Sequence, residues 1–342
     1  MRKGNNQSKD ILIHLRESSH RVIIPLYIPN LEGYYKDAFE IFKMCLFSIV
    51  KTSATYLKIS VISNNTCERV NQKLLQLQNE GHIDELIIEK EDIGKINSIL
   101  KSLRTTEERL VTITDADVLF CNGWEEAVVE VFNAFPNAGA VCPVPVFRKH
   151  LNLTSNIWMK YLFSKKLYFR QVKNTEAMTK FAKSIGWPWL DEKYKDVIGT
   201  LQSKNGTIAV LGCSHFVATY KTEVFSELPK KNSQYKLGGN SEFLYTDEPV
   251  IKRGAYRLAT YDNYAYHLGN HLEEWMEKEF VSLANQEKRT ENYESLSIIK
   301  KKPIRYFLSE KFFKKIFYFK KIQMIILRYK GLSKKQINDF IS

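Results

Sequence analysis

No stretch of this 342-residue sequence approaches the roughly 20 uninterrupted apolar residues that a membrane-spanning helix requires, and MRKGNNQSKD leads into no apolar run of the signal-peptide kind. Both absences point to a cytoplasmic protein. Cysteine is scarce: Cys45, Cys67, Cys121, Cys142 and Cys213 are odd in number, far apart and without a CxxC pair, which argues against a disulfide framework or a zinc knuckle. They read as small core residues. Neither GxGxxG nor GxxxxGKS/T occurs, so dinucleotide and P-loop sites are disfavoured, and no internal repeat is present. Acidic residues are in deficit, 38 against 51 basic ones, for a net charge of +13. Such a field attracts phosphate-rich partners: nucleic acid, anionic lipid or nucleotide diphosphates.

What is present is a folded globular composition, 44% hydrophobic, 26% charged and 13% aromatic. From Arg21 to about Cys142, β-rich runs at 22–28, 57–63, 85–89, 110–114 and 138–142 alternate with helix-length amphipathic stretches at 35–51, 67–80, 93–103 and 125–135. That alternation predicts βαβ units around a mostly parallel sheet, in which ligands collect beyond the carboxyl ends of the strands. Residues 25–29, Asn64-Asn65, 92–95 and 115–117 follow four such ends and are expected to ring one crevice. The aromatic-rich segment 158–189 reads as a helical insertion over that crevice, and 207–219 as a strand or hairpin. From Lys300 the composition shifts to lysine with aromatic and aliphatic residues. Leu308, Phe312, Ile316 and Phe319 on one side, with Lys314, Lys315, Lys320 and Lys321 interleaved, predict a basic amphipathic helix that either lies on an anionic membrane or docks onto the domain with its lysines in water.

The segment Leu-Val-Thr-Ile-Thr-Asp115-Ala116-Asp117 sets two carboxylates, one residue apart, directly after a buried-type strand. Two acids there are costly without a cation between them. Mg²⁺ or Mn²⁺ answers that cost, because a hard divalent ion takes carboxylate oxygens and completes its octahedron with water and substrate phosphates. Such an ion stabilises the charge that develops on a departing diphosphate. An acid pair in a strand-end loop also serves as a plain helix cap, so the pair gains weight from its surroundings. Lys95 after Gly94 at a helix start suits phosphate recognition. Trp187 and Trp189 offer faces on which a sugar ring stacks, or pack in a core.

The order of these features resembles GT-A glycosyltransferases of the family-2 kind over about Arg21 to Asn270. The resemblance is carried by Val22-Ile23-Ile24-Pro25, Asp92-x-Gly94-Lys95, Asp115-Ala116-Asp117, Gly212-Cys213-Ser214-His215-Phe216, the acidic pair Asp247-Glu248 before Gly254, and Tyr266-His267-Leu268-Gly269-Asn270. It implies a GT-A fold, a Rossmann-like nucleotide-binding sheet with helices on both faces, spanning 21–270 with an acceptor-side insertion at 150–206. An N-terminal extension at 1–20 and a basic helical region at 271–342 complete the organisation. The resemblance further implies Pro25, Asn64, Asp92, Lys95, Asp115 and Ala116 at the nucleotide, Asp115, Asp117 and His267 at the metal, and Asp247 or Glu248 as the base that deprotonates the acceptor. His215 and His271 rank behind His267 as ligands.

The sequence departs from the pattern where Asn64-Asn65 replaces the usual aspartate, and where the acidic pair reads Asp-Glu-Pro, which keeps both members open as the base. The implied activity is metal-dependent, inverting transfer of a hexosyl or N-acetylhexosaminyl group from a nucleotide-sugar, a UDP-sugar first, to a glycan or lipid-linked acceptor in cell-surface polysaccharide synthesis. The basic C-terminal region would hold the enzyme at the inner membrane face, and no nucleic acid is expected. Alternatives are a retaining GT-A enzyme, a nucleotidyltransferase, and a basic nucleic-acid-binding protein.

Overall fold

The computed structural model describes every residue except 1–3, 6, 13–17, 148, 150, 291, 292 and 342, so part of the 1–20 extension lies outside the described residues. Twelve strands are formed among them: β1 His20–Leu26, β2 Lys58–Asn64, β3 Glu85–Glu89, β4 Leu110–Thr114, β5 Val118–Phe120, β6 Ala138–Cys142, β7 Leu167–Gln171, β8 Val197–Gln202, β9 Ile208–Leu211, β10 Val217–Lys221, β11 Tyr256–Thr260 and β12 Ala265–His267. Ten of them make one mixed sheet in the order β3-β2-β1-β4-β10-β6-β11-β9-β8-β7, and β5 pairs with β12 separately. The half β3-β2-β1-β4 is parallel. β10 then enters antiparallel between β4 and β6, β11 runs parallel to β6, and β9, β8 and β7 continue antiparallel.

The inner strands explain the order. β4 is buried at all five positions and β1 at six of seven, as a strand covered on both faces requires, whereas edge strand β3 is half-exposed. Helices α1 (Ala38–Thr52), α2 (Glu68–Asn79), α3 (Lys95–Leu103) and α4 (Trp124–Ala134) connect this part, with α3 packed on β1 and β2 and α4 on β6 and β11. Smaller helices follow: α5 Ser155–Tyr161, α6 Thr175–Ser184, α7 Glu192–Asp196, α8 Glu248–Lys252 and α9 Glu274–Ser282.

Buried polar clusters close the amino-terminal rim of the sheet. The Arg21 guanidinium donates bidentately to Glu108 at 2.9 and 3.0 Å and also pairs with Glu85. Nearby, buried Glu125 accepts from the His20 ring, the amides of Ala54 and Thr55, and the hydroxyls of Thr55 and Tyr293. With that rim tied down, the open end of the sheet is the one beyond the strand carboxyl ends.

All five sequence-predicted strands form, three with the expected bounds. β1 starts and ends two residues early, because the Ile28 amide donates to Thr66 Oγ1 and the Ile28 carbonyl accepts from Cys67, which takes the chain out of the ladder after Leu26. The hairpin alternative for 207–219 is not formed. β9 lies between β11 and β8, while β10 is inserted between β4 and β6. Segment 158–189 is not purely helical either: β7 forms within it, recruited by antiparallel pairing with β8, with Leu167 opposite Leu201 and Gln171 opposite Val197. In the C-terminal region 303–317 is one continuous helical run, α10 Pro303–Tyr306, a π-helical segment Phe307–Phe313 and α11 Lys314–Phe317, followed after a turn at 318–319 by α12 Lys320–Tyr329 and α13 Lys334–Ile341.

Candidate active site

A cavity of about 440 Å³ opens beyond the carboxyl ends of β1, β2 and β4. Pro25, Asn64, Asp92, Lys95, Asp115, Ala116 and Asp117 all line it, so four strand-end segments meet in one place. On one side Tyr27, Tyr34 and Tyr35 form an aromatic wall, with Tyr35 edge-on to Tyr27 at 5.9 Å and to Tyr34 at 5.0 Å between ring centres.

The loop after β3 is braced from two sides. Asn64 Nδ2 donates to Asp92 Oδ1 at 2.9 Å, and Asn64 Oδ1 accepts from the Ile93 amide at 2.8 Å. Although desolvation opposes it, the bonds from Asn64, Lys236 and the Gly94 amide hold the Asp92 carboxyl below its ordinary value. Asn64 therefore acts through Asp92 rather than as a lone donor. Gly94 stands at φ +83, and a Cβ there would come within 2.5 Å of the Lys236 Cα, so the close approach of this loop to 236 needs glycine. The Lys95 amide donates to the Lys236 carbonyl at 3.0 Å across that contact.

Lys95 Nζ lies 2.5 Å from Asp115 Oδ1 and 3.2 Å from Glu242 Oε1. Burial pulls the ammonium down, but the two carboxylates outweigh it and raise it above the ordinary lysine value, so Lys95 stays charged. The Asp115 amide donates to the Phe216 carbonyl at 2.7 Å, tying the acid pair to the start of β10.

Asp117 faces the other way. Its Oδ2 is 3.5 Å from His267 Nε2, whereas Oδ1 is buried with no hydrogen-bond partner among the described residues. Burial pushes this carboxyl up to about 6 against the pull of His267. The pairing of β5 with β12 sets His267 opposite Val118, and the Leu268 amide donates to the Asp117 carbonyl at 2.7 Å, which fixes this distance. Ser184 Oγ gives its proton to the Phe181 carbonyl at 2.8 Å, so it accepts from His267 Nδ1 at 3.0 Å. That orients the ring with Nε2 toward Asp117, the nitrogen a ligating histidine would offer once unprotonated.

The three expected metal ligands thus separate into a pair and a single: Asp117 with His267, and Asp115 with Lys95. Among the described residues no three His, Cys, Asp or Glu side chains converge into a cation cage. A Mg²⁺ or Mn²⁺ site needs no such cage, because one or two protein ligands are completed by water and diphosphate oxygens, and the orphaned Asp117 oxygen and His267 Nε2 fit that demand.

Asp247 and Glu248 do not line the cavity. Asp247 ends a π-helical turn, Phe243–Asp247, and is buried between Arg257, to which it is ion-paired, and His215 Nε2 at 3.3 Å. Desolvation pushes its carboxyl up to about 6 despite Arg257. Burial and Arg257 push the His215 ring down to about 4, so it is neutral at pH 7. Glu248 bridges Lys252 at 3.0 Å along α8. His271 is exposed and meets Asp37 at 3.2 Å. Trp187 packs on Phe147 at 5.5 Å, Trp189 is exposed, and neither belongs to the cavity wall.

Sequence reasoning missed Glu242, Tyr34, Tyr35 and Lys236-Leu237, whereas Tyr27 lies in the expected segment 25–29 and Gly269-Asn270 in the motif quoted for the resemblance. For the tyrosines a signal existed, since Gly33-Tyr34-Tyr35 follows the first strand and precedes α1. Nothing local announces that Glu242 will reach a lysine 147 positions earlier.

No family model matches the chain, and no curated protein matches it. Among solved structures it is similar to the mannosyltransferase PcManGT from Pyrobaculum calidifontis in complex with GDP-Man and Mn²⁺, at 16% identity and a TM-score of 0.40, over 72% of this chain and 55% of that one. This chain therefore spans little more than half of that enzyme's length. It is also similar to S. aureus TarS 1–349 in complex with UDP-GlcNAc, at 13% identity and a TM-score of 0.44, over 95% of this chain and 70% of that one.

Proposed function

We propose that this chain is a GT-A-type glycosyltransferase that binds a nucleotide-sugar in the cavity beyond β1, β2 and β4 and passes the sugar to an acceptor hydroxyl. The observation that carries the reading is Asp117, which lines the same cavity as Lys95 and an aromatic wall, with Oδ1 buried without a partner among the described residues and Oδ2 3.5 Å from His267 Nε2. Each part has a use in that chemistry. Tyr35 and its neighbours offer a stacking face for the base, with Pro25, Asn64 and Asp92 at its edge. Asp117 and His267 would hold Mn²⁺ or Mg²⁺, with Asp115 and Ala116 beside the diphosphate. The bound ion supplies Lewis-acid stabilisation of the departing diphosphate. Lys95 adds a fixed positive charge on the same leaving group, already oriented by Asp115 and Glu242.

Asp247 and Glu248, the two acids expected as the base, do not reach this cavity, Asp247 being buried against Arg257 and Glu248 bridging Lys252, so neither is given the acceptor proton. Transfer in one displacement then inverts the sugar. The acceptor class proposed is a glycan or lipid-linked saccharide of surface polysaccharide synthesis, the donor a UDP-sugar carrying a hexosyl or N-acetylhexosaminyl group.

The test is a melting screen of nucleoside diphosphates and sugar nucleotides with and without Mn²⁺, followed by product analysis. One base should stabilise the protein in a metal-dependent manner, by about 2.7 kcal/mol at a hundredfold excess over Kd. A nucleoside diphosphate and a product of inverted anomeric configuration are expected. Pyrophosphate release from a nucleoside triphosphate would replace this reading with nucleotidyl transfer, and retained configuration would replace the inverting step.

A further inference from the structure

A second cleft, of about 590 Å³, lies between α5 and the start of α10. Its walls bring together Lys160, Lys302 and Arg305 with apolar Met159, Ile304 and Leu308. Arg305 donates to the Tyr256 hydroxyl at 2.8 Å, Lys302 donates to Asn137 Oδ1 at 2.7 Å, and Lys160 sits over the Tyr161 ring at 4.9 Å. Lys301 on the same wall is paired with Glu227 at 3.0 Å, whereas among the described residues none of the other three cations has a carboxylate within 4.0 Å. Burial and the nearby charges of Arg305 and Lys160 lower the Lys302 ammonium from its ordinary value. Three positive groups gathered without a counter-charge repel one another until an anion joins them.

The cleft continues into an exposed apolar stripe. Ile304, Leu308, Phe312, Ile316 and Phe319 remain 76%, 45%, 61%, 38% and 65% exposed, although the same segment is anchored to the domain by buried Ser309 and Phe317, with Phe317 against Trp158 at 5.2 Å. The sequence pattern left two readings, a membrane face or a docked helix with only its lysines in water. The helix docks by its other face and presents its apolar stripe outward, flanked by exposed Lys311, Lys315, Lys320 and Lys321. Large apolar side chains rimmed by cations are the composition of a helix lying in a bilayer interface. A nucleic acid would leave the stripe unused, and a second copy of this face would set cations against cations.

We propose that this face docks on an anionic phospholipid bilayer, with a lipid phosphate seated among Lys160, Lys302 and Arg305 and the stripe from Ile304 to Phe319 immersed at the acyl boundary. The phosphate seat lies at the opposite rim from the nucleotide cavity, since Tyr256 opens β11 and Asn137 immediately precedes β6, while the cavity lies beyond the ends of β1, β2 and β4. Docking is therefore independent of whether the cavity transfers sugar.

The full chain is sedimented with vesicles of phosphatidylcholine alone or mixed with phosphatidylglycerol, alongside Lys160→Gln/Lys302→Gln, Phe312→Ser and, as a control in the β8–β9 turn, Lys204→Gln. The parent and the control should bind only the anionic vesicles. Removing two cations should weaken that binding about thirtyfold, at about 1 kcal/mol per surface cation, and Phe312→Ser should weaken it as well. Melting curves confirm that the variants, all at exposed or half-exposed positions, remain folded. Equal binding to neutral vesicles, or parental binding by either the double variant or Phe312→Ser, would overturn the proposal.

Discussion

Replacing Glu125 by glutamine is the sharpest test of the physical account, because five donors converge on one buried carboxylate. Oε1 accepts from the His20 ring at 2.9 Å, Thr55 Oγ1 at 2.6 Å and Tyr293 Oη at 2.9 Å, and Oε2 from the amides of Ala54 and Thr55 at 2.8 and 3.0 Å. Desolvation opposes ionisation, yet the His20, Thr55 and Tyr293 interactions hold this carboxyl at about 2 instead of 4.5. An amide keeps one acceptor and must point its NH₂ at donors already aimed inward. Leaving such buried groups unpaired costs about 1–3 kcal/mol each. Glu125→Gln should therefore lose about 3–5 kcal/mol and melt roughly 5–10 °C lower at pH 7.

The pH dependence carries a sign. A depressed carboxyl contributes stability that is complete above its unfolded value of 4.5 and is lost as pH falls toward the folded value of about 2. That contribution is about 3 kcal/mol, so the melting temperatures of parent and variant should converge through this window. Calorimetry at several pH values measures both. A variant within a degree of the parent at pH 7, or a gap that stays constant from pH 5 to acid, would refute the reasoning.

Asp117→Asn should abolish Mn²⁺-dependent stabilisation by nucleotide and lower turnover roughly a hundredfold or more. Because burial raises the Asp117 carboxyl to about 6, its ionised form is disfavoured in the folded state at pH 7, and the unliganded variant should melt slightly higher than the parent. Gly94→Ala forces a φ of +83 on a residue with a Cβ that meets the Lys236 backbone, and should cost about 1–3 kcal/mol together with weaker nucleotide binding in a melting or titration assay. Asp247→Asn leaves the buried Arg257 charge without its partner and should cost about 3–5 kcal/mol in melting or denaturant curves, while Glu248→Gln should stay near the parent.

Part of this molecule was legible without coordinates because its information is local. A short, β-branched run such as Leu110–Thr114 reads as a strand buried on both faces, and the acids that follow it then leave at a strand end. The same reasoning places Pro25, Asn64, Asp92 and Lys95 at neighbouring ends, and the structure brings them to one cavity. The apolar spacing of Leu308, Phe312 and Ile316 was equally readable.

Everything that depends on partners distant in sequence was decided by the tertiary structure. Periodicity cannot reveal that β10 slips antiparallel between β4 and β6, since that register depends on residues as distant as Thr112 and Thr219, 107 positions apart. Nor can it show that Asp247 is sealed behind Arg257, that Glu242 reaches Lys95, or that Asp115 and Asp117 diverge to different partners. Spacing along the chain states which residues share an element and a face. Only packing of one element on another states which of their charges meet, which are buried, and which are left facing a cavity.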